Sequence, residues 1–396
     1  MIYHAYNNVP YYHFAFREKG IRPSDINSSS DLAKLPITSK AEILQNWNSF
    51  VSRKSRPEEC TISHSSGTTG TPLNILEDYP TKETGSALVY YSFFECGMSM
   101  RDTYLELSAR FPDDSSRVFR HGPARLMKGH YLSVFNEPAF NVEEMTRISP
   151  DVIYSFPTAL QCILGDFGNS LRIIAPNLVF TQAEMLTEGH RKMVEDCWNI
   201  SPNDTYGSRE FPRIAFECSE HQGLHVITDY LILELIRDGE PVGPDETGKT
   251  VVTSLYHSAM PFIRYDLGDL ASLTSDKCVC GRGWPLLKKI EGRSMYVATL
   301  PSGKKITFGA NISALLRTVD SVKRFQVTFQ QNRKRVVVKL VCAEKMSRKD
   351  EEKIKQQTVD RTKIAFLNEK IDIHVEFVDA ITPQPSGKIP DFLLEK

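Results

Sequence analysis

The sequence predicts an α/β protein, with a large N-terminal domain followed by a smaller α+β domain. Two observations predict the large domain: amphipathic helical segments at 157–168 and 187–198, and short apolar runs of strand character around them. A third observation, the change of pattern after Gly292, predicts the small domain. A chain of 396 residues has room for two or three domains of about 150 residues each. We therefore divide it into residues 1–292 and 293–396.

The large domain is expected to begin with helices and to continue through buried strands. Residues 15–50 are predicted to form short helices joined by polar turns, with a helix start at the serines before Asp31. The segment "RIIAPNLVFT" and the runs 232–236 and 249–256 have the apolar composition of buried strands. Helices mixed with such strands indicate a sheet that is covered by helices.

The small domain shows the alternation of apolar and polar residues that is typical of half-buried strands. Its predicted elements are two strands about a Pro-Ser-Gly turn (295–309), a short helix (311–319), a hairpin (323–344), a charged helix (347–366) and an alternating strand (370–381). A unit of about 100 residues is large enough to fold alone.

Composition restricts the function. A formal net charge of −1 argues against a broad nucleic-acid surface. No apolar run reaches the ~18 residues of a membrane span, and the N-terminus lacks the pattern of a signal peptide. The 8 cysteines are therefore expected to be reduced thiols, which favours a cytoplasmic location. A homodimer is one option, since the sequence does not fix the oligomeric state.

The stretch "HSSGTTGTP" has the composition of an anion-binding loop. Its candidate ligand residues are Ser65, Ser66, Gly67, Thr68, Thr69, Gly70 and Thr71. The two glycines allow left-handed backbone and close approach to a ligand, and backbone N–H groups with hydroxyls can surround an anion. Unlike the usual phosphate loop, this one contains no lysine. A flexible linker is the alternative interpretation.

Four shorter motifs are weak when each is taken alone. They are "YGSRE" with Tyr206 and Glu210, "RYDLGDL" with Asp269, "EGRS" with Arg293 and "PQPSGKIP" with Lys388. The carboxylate of Asp269 has two acceptor oxygens that suit a vicinal diol. Ordinary surface turns, and a solvated lysine near the C-terminus, are the alternatives.

Taken in order, these motifs resemble those of the adenylate-forming superfamily of acyl-CoA synthetases and related ligases. Residues 9–43 and 247–270 resemble the branch of the phenylacetate–CoA ligases and the capsular-polysaccharide CapK-like proteins. The chain departs from this branch at residues 294–296, where Ser-Met-Tyr replaces acidic hinge residues, and at Arg209. These departures leave open the hinge rotation that the family uses for its thioester step.

The resemblance implies a two-step reaction: ATP and a carboxylic acid give an acyl-adenylate, and CoA or another acceptor then takes the acyl group. It implies that the loop holds the β- and γ-phosphates and that Glu210 binds Mg²⁺. Tyr206 would lie against the adenine or the acyl group, and Asp269 would bind the ribose. Arg293 would contact ribose or phosphate. Lys388, carried on a mobile C-terminal lid domain, would supply the cation that the loop lacks.

Other outcomes of the same resemblance stay open. The acceptor could be an amine, a hydroxyl or a carrier-protein thiol, or the chain could be a catalytically silent binding module. Three segments are candidates for an acyl pocket that suits an aryl or apolar acid: 93–99, 154–159 and 181–185. Their apolar residues are equally typical of a protein core.

A second site is predicted from cysteine and histidine spacing. Cys218-x-x-His221 and Cys278-x-Cys280 provide four ligands of the kind that a structural tetrahedral Zn²⁺ site needs. His225 is an alternative fourth ligand. Four unrelated buried residues are the alternative to a metal site, and some members of the CapK-like branch are similar here.

Overall fold

The computed structural model describes residues 1–65, 73–108, 115–121, 126–293, 297–302, 305–307, 316, 319, 321–342, 347–366, 368–382 and 392–395. The chain divides into two compact units. The first comprises Met1–Asp102, Arg120–Met127 and Asn203–Ile290, and the second comprises Thr103–Phe119, Lys128–Pro202 and Glu291–Lys396.

Four of the described helices begin at a side-chain cap. The described helices are α1 (Ile2–Asn8), α2 (Pro10–Glu18), α3 (Lys40–Gln45), α4 (Trp47–Phe50), α5 (Tyr79–Glu95), α6 (Pro138–Ile148), α7 (Pro157–Leu171), α8 (Glu188–Trp198) and α9 (Arg348–Ala365). The side chains of Ser39, Asp78, Thr187 and Ser347 accept hydrogen bonds from backbone N–H groups of the first turn. Short 3₁₀ turns occur at Pro23–Asp25, Ser29–Lys34, Pro57–Glu59 and Gln331–Arg333.

The strands follow the apolar runs. They are β1 (Thr61–His64), β2 (Asn74–Glu77), β3 (Tyr104–Ser108), β4 (Ser116–His121), β5 (Met127–Ser133), β6 (Val152–Ser155), β7 (Leu178–Thr181), β8 (Asn203–Tyr206), β9 (Ala215–Glu217), β10 (Leu224–Val226), β11 (Leu231–Arg237), β12 (Glu240–Pro241), β13 (Thr247–Ser254), β14 (Tyr265–Thr274), β15 (Leu286–Arg293), β16 (Val297–Thr299), β17 (Lys305–Thr307), β18 (Val322–Gln330), β19 (Arg335–Cys342), β20 (Asp372–Phe377) and β21 (Phe392–Glu395).

The first unit contains strands in the order β12-β11-β13-β14-β15-β10-β9-β8, together with the separate antiparallel hairpin β1-β2. Buried side chains of the N-terminal helices, such as Tyr12 and Phe50, share one core with Leu73, Tyr206 and Phe262. This common core holds the N-terminal segment, the hairpin and the strands of the candidate site together.

The second unit contains the order β7-β6-β3-β5-β4, in which β3 pairs parallel with β5 and β6 pairs parallel with β7. Helices α6, α7 and α8 share its core, where Leu105, Ile153 and Trp198 are buried. A four-stranded sheet, β20-β19-β18-β21, lies with α9 around a core of its own.

The α/β class predicted from the sequence is confirmed. Helices α7 and α8 fall where amphipathic segments predicted them, α9 falls where a charged helix was predicted, and β18 and β19 form the predicted hairpin. The short strand β21, which pairs parallel with β18, was not predicted. The helix expected over 311–319 lies outside the described residues except at positions 316 and 319. Among the helices described, none is both long and apolar enough to cross a membrane.

Candidate active site

A β-hairpin carries the candidate phosphate loop. Strands β1 and β2 pair with His64 opposite Asn74, so residues 65–73 connect them. The ends of this loop are fastened to each other: the N–H of Ser65 donates to the carbonyl of Leu73 at 3.0 Å, and the N–H of Leu73 donates to Oγ of Ser65 at 2.8 Å. Residues 66–71, which were predicted to hold phosphate, lie outside the described residues.

Two tyrosine hydroxyls hold the two candidate carboxylates. The hydroxyl of Tyr206 donates to Oδ2 of Asp269 at 2.8 Å, and that of Tyr265 donates to Oε1 of Glu210 at 3.0 Å. Tyr206 ends β8, four residues before Glu210, whereas Tyr265 begins β14, four residues before Asp269. Each tyrosine therefore bonds to the carboxylate of the other segment.

Glu210 is a buried residue, at 6% exposure, and so is its partner Tyr265, at 2%. A buried charge is costly unless donors or a cation compensate it. The hydroxyl of Tyr265 is one such donor, and the binding of a metal ion by Glu210 stays a prediction.

A buried histidine packs against the residue that follows Glu210, and it adds no charge there. His257 lies against Phe211, the residue after Glu210, with ring centroids 5.5 Å apart, and its Nδ1 is 2.6 Å from Oγ of Ser254. Burial lowers the pKa of His257 to about 3, so the ring is neutral at physiological pH. His257 therefore does not neutralise Glu210.

An irregularity in the sheet places Asp269 outside the regular ladder. Lys249 of β13 pairs with Leu270, but Val251 pairs with Asp266, so Thr250 opposes residues 267–269. Gly268, with φ of +77°, lies inside this bulge, and its N–H donates to Oδ1 of Asp266 at 2.8 Å. Bulges of this kind redirect side chains next to functional sites.

The segment that enters β14 is anchored through Arg264, which the sequence did not single out. Its Nε and Nη2 lie 3.2 and 3.0 Å from the carboxylate oxygens of Glu234, and Nη1 donates to the carbonyls of Ala33 at 3.3 Å and Leu35 at 2.6 Å. The N–H of Thr38 donates to the carbonyl of Arg264 at 2.8 Å. Arg264 also has a left-handed φ of +47°, which is unfavourable for a side-chain-bearing residue. The N-terminal segment thus holds Tyr265 in place.

Two of the predicted acyl-pocket segments lie in the second unit and one lies in the first. In the second unit, the hydroxyl and the N–H of Thr158 donate to Oε2 of Glu184 at 2.6 and 3.1 Å. In the first unit, the guanidinium of Arg213 lies 5.5 Å from the centroid of the buried Phe93 ring. Cys96 donates from its Sγ to the carbonyl of Glu217 at 3.2 Å. The structure thus shows packed segments, and the acyl pocket stays a prediction.

The remaining predicted site residues are not described by their side chains. Arg293 is the last residue of β15, and only its backbone is described. Residues 294–296 and Lys388 lie outside the described residues. Their predicted roles stay predictions.

A cluster of soft ligands lies elsewhere in the first unit. The ligand atoms of Cys218, His225, Cys278 and Cys280 all lie within 4.8 Å of one another. The two thiol sulfurs of Cys218 and Cys278 are 3.6 Å apart, and Nε2 of His225 is 3.4 Å from Sγ of Cys280. Three thiols and one imidazole form a donor set that suits tetrahedral Zn²⁺.

The fourth member of this cluster is His225, the alternative, and not His221. His221 has a left-handed φ of +49°, and its Nδ1 lies 3.2 Å from Oε2 of Glu217. His225, by contrast, lies on β10, which pairs antiparallel with β9 just before Cys218. The C-x-x-H spacing favoured His221, but the strand pairing brings His225 to the cysteines.

The cluster is also tied to α5. Arg282 lies two residues after Cys280, and its Nε donates to Oε2 of Glu95 at 3.2 Å. Its Nη2 donates to the carbonyl of Glu95, also at 3.2 Å. Its guanidinium lies 5.9 Å from the ring centroid of Phe216. The loop with Cys278 and Cys280 is therefore fastened to the C-terminal end of a long helix.

Comparisons with known proteins identify relatives of this chain. Residues 299–392 match the family described as the CapK C-terminal domain. A phenylacetate–coenzyme A ligase of Thermus thermophilus is 27% identical over 307 residues, which are 74% of this chain and 68% of the relative. The corresponding ligase of Escherichia coli is 28% identical over 74% of this chain and 68% of its own length. Protein CapK of Staphylococcus aureus is 22% identical over 67% of this chain and 57% of its own.

Solved structures show the same fold. A 2-hydroxyisobutyryl-CoA ligase in complex with 2-HIB-AMP superposes with a TM-score of 0.81 at 17% identity, covering 99% of this chain and 87% of that one. An anthranilate CoA ligase in complex with anthranoyl-AMP gives a TM-score of 0.64 at 18% identity, over 86% and 66%. The fold is thus that of adenylate-forming CoA ligases. The chain itself is a homologue of the phenylacetate–CoA ligases and of CapK, which confirms the resemblance found in the sequence.

Proposed function

We propose that this protein activates a carboxylic acid with ATP and transfers the acyl group to CoA. The observation that carries the proposal is the pair of carboxylates, Glu210 and Asp269, each held by a tyrosine hydroxyl. The exit of the Ser/Thr/Gly loop at Leu73 packs in the same core as Tyr206. Homology to CoA ligases supports the same reaction.

In the first step, a carboxylate oxygen of the acid attacks the α-phosphorus of ATP. The bond from the α-phosphorus to the bridging oxygen breaks, and pyrophosphate leaves with the electron pair. This step needs positioning and charge stabilisation more than covalent help from the protein. Residues 65–71 hold the β- and γ-phosphates, Asp269 binds the ribose hydroxyls, and Tyr206 lies against the adenine or the acyl group. Glu210 holds Mg²⁺, which neutralises phosphate charge when bound.

In the second step, the sulfur of CoA attacks the acyl carbon and AMP leaves, while the thiol proton passes to solvent.

Arg293 contacts ribose or phosphate, and Lys388 supplies positive charge to the α-phosphate during the first step. Residues 293–396 act as the lid that carries Lys388. The acid is aryl or apolar, in keeping with the segments at 93–99, 154–159 and 181–185.

The cluster of Cys218, His225, Cys278 and Cys280 binds one structural Zn²⁺. Three of its four side chains are buried, and all four ligand atoms lie within 4.8 Å of one another. The site joins the β9-β10 hairpin to the loop before β15, so the metal stabilises the fold and takes no part in acyl transfer.

The test is mass spectrometry of the products formed from a library of carboxylic acids with ATP and Mg²⁺, with and without CoA. We expect AMP, pyrophosphate and an acyl-CoA when CoA is present, and acyl-adenylate when it is absent. A product that does not need CoA would point to a different acceptor. If no acid leads to cleavage of ATP, the chain is a silent binding module and the proposal is wrong.

A further inference from the structure

We propose that Tyr206 and Tyr265 are positioning residues that act crosswise: Tyr265 orients Glu210 for the metal ion, and Tyr206 orients Asp269 for the ribose. This inference rests on the proposed function, in which Glu210 binds Mg²⁺ and Asp269 binds the ribose. The pairing runs against the order of the chain, because each tyrosine lies four residues before the carboxylate that it does not contact.

The geometry suits an orienting role. A tyrosine hydroxyl has one proton to donate, and here it is donated to a single oxygen of each carboxylate. Such a bond restricts the orientations that the carboxylate can adopt, so the group needs less rearrangement when a ligand binds. An uncharged donor orients the group without removing the negative charge that attracts a cation.

Both donors are held rigidly. Tyr265 is 2% exposed, with its ring centroid 5.1 Å from that of Phe262, and Tyr206 is 7% exposed in the same core. The main chain before Tyr265 is fixed by the buried ion pair of Arg264 and Glu234. A donor that cannot move sets the position of its acceptor.

The arrangement also links two chain segments that carry different ligands. Glu210 follows β8 and Asp269 lies within β14, and each segment supplies the donor for the carboxylate of the other. Displacement of one segment would therefore disturb both carboxylates. Removal of a single hydroxyl, in contrast, is expected to disturb only the carboxylate to which it is bonded.

A purely structural role is the rival explanation, since a buried tyrosine hydroxyl normally needs a partner. The two explanations differ in what a Tyr→Phe change does to ligand binding. A structural role predicts lower stability and equal effects on every ligand. The crosswise role predicts one specific loss of ligand affinity for each variant. The ligand affected is that of the carboxylate to which the tyrosine is hydrogen-bonded, and not that of the carboxylate nearer in sequence.

The experiment compares Tyr206→Phe, Tyr265→Phe and the double variant in the full chain. The first measurement is the affinity of Mn²⁺, a spectroscopic substitute for Mg²⁺, for the enzyme with a bound non-hydrolysable ATP analogue, by electron paramagnetic resonance. The second measurement is the ratio of the affinities for ATP and 2′,3′-dideoxy-ATP, by calorimetry. Tyr131→Phe is the matched control, because its buried hydroxyl donates to the carbonyl of Ser108 at 2.9 Å.

We expect Tyr265→Phe to weaken Mn²⁺ binding about tenfold, as for loss of a hydrogen bond to a charged group, with the nucleotide ratio unchanged. Tyr206→Phe should lower the ratio by about the same factor and leave Mn²⁺ binding unchanged. The inference would be wrong if Tyr206→Phe weakened Mn²⁺ binding and Tyr265→Phe lowered the nucleotide ratio. It would also be wrong if the effects were no larger than those of Tyr131→Phe.

Parallel variants separate this inference from the proposed function. Glu210→Gln should weaken Mn²⁺ binding and Asp269→Asn should lower the nucleotide ratio, each by more than the tyrosine variants. If both acidic variants behave so and the tyrosine variants do not, only the crosswise role is wrong. If the acidic variants have no effect, the proposed site and this inference are both wrong.

Discussion

The hydroxyl of Tyr206 donates to Oδ2 of Asp269 across 2.8 Å, although 63 positions separate the two residues in the chain. This bond holds the carboxylate where the bulge at residues 267–269 has turned it out of the β13-β14 ladder. Asp269 is therefore an oriented acceptor on the irregular part of a strand, which is the arrangement that a diol-binding carboxylate needs.

Replacement of Asp269 tests the ribose assignment. Asp269→Ala leaves the ribose hydroxyls without their acceptor, and each hydrogen bond to a charged group is worth roughly 1.5–3 kcal/mol. We expect ATP binding to weaken about tenfold or more, while binding of 2′,3′-dideoxy-ATP changes little. Calorimetry with both nucleotides measures this, and an affinity ratio equal to that of the wild type would contradict the assignment.

Replacement of Glu210 tests the metal assignment. Glu210→Gln removes the buried charge and keeps the shape and the acceptor for Tyr265. Acid-dependent pyrophosphate release is expected to fall by orders of magnitude, while the thermal midpoint stays close to that of the wild type. Nearly normal rates at low Mg²⁺ would mean that another group holds the metal.

The anchor at Arg264 leads to a stability prediction. Its side chain is 4% exposed and that of Glu234 is 13% exposed, so Glu234→Ala leaves a buried charge unpaired. We expect the free energy of unfolding to drop by about 3–5 kcal/mol in urea denaturation. Asp196→Ala is the control, because its ion pair with Lys192 is solvent-exposed and should matter little. Equal effects of the two changes would mean that the buried pair is not an anchor.

The cluster of thiols and imidazole leads to a metal prediction. Metal analysis of the purified protein should find about one Zn²⁺ per chain. Cys278→Ser should lower the melting temperature more than it changes the affinity for ATP, whereas Cys342→Ser, outside the cluster, should do neither. His225→Ala should release the metal and His221→Ala should retain it. Protein without zinc would exclude the site.

Local patterns predicted the parts of the fold that depend on local sequence. Helices α7 and α8 were expected because their apolar residues repeat at helical spacing, and β18 and β19 because theirs alternate. The strand β21 was missed because it has only four residues and obtains its hydrogen bonds from β18, far away in the chain.

In the candidate site, too, residues in short motifs were predicted, and contacts between residues far apart in the chain were not. Glu210 and Asp269 were singled out from short motifs, but Tyr265 was not, since its bond to Glu210 spans 55 positions. Gly268 inside a strand pattern was a usable signal for the bulge. His221 was preferred over His225 on local spacing, and only the pairing of β9 with β10 shows which imidazole reaches the thiols.

The central claim is that the protein forms an acyl-adenylate, with positive charge supplied by Lys388 because the loop at 65–71 has no cation of its own. The most direct measurement is the exchange of labelled pyrophosphate into ATP, in the presence and absence of a panel of carboxylic acids. We expect the wild type to catalyse exchange only when a suitable acid is present, and Lys388→Ala to lose this exchange while it still binds ATP. Absence of acid-dependent exchange in the wild type, or normal exchange in Lys388→Ala, would contradict the account.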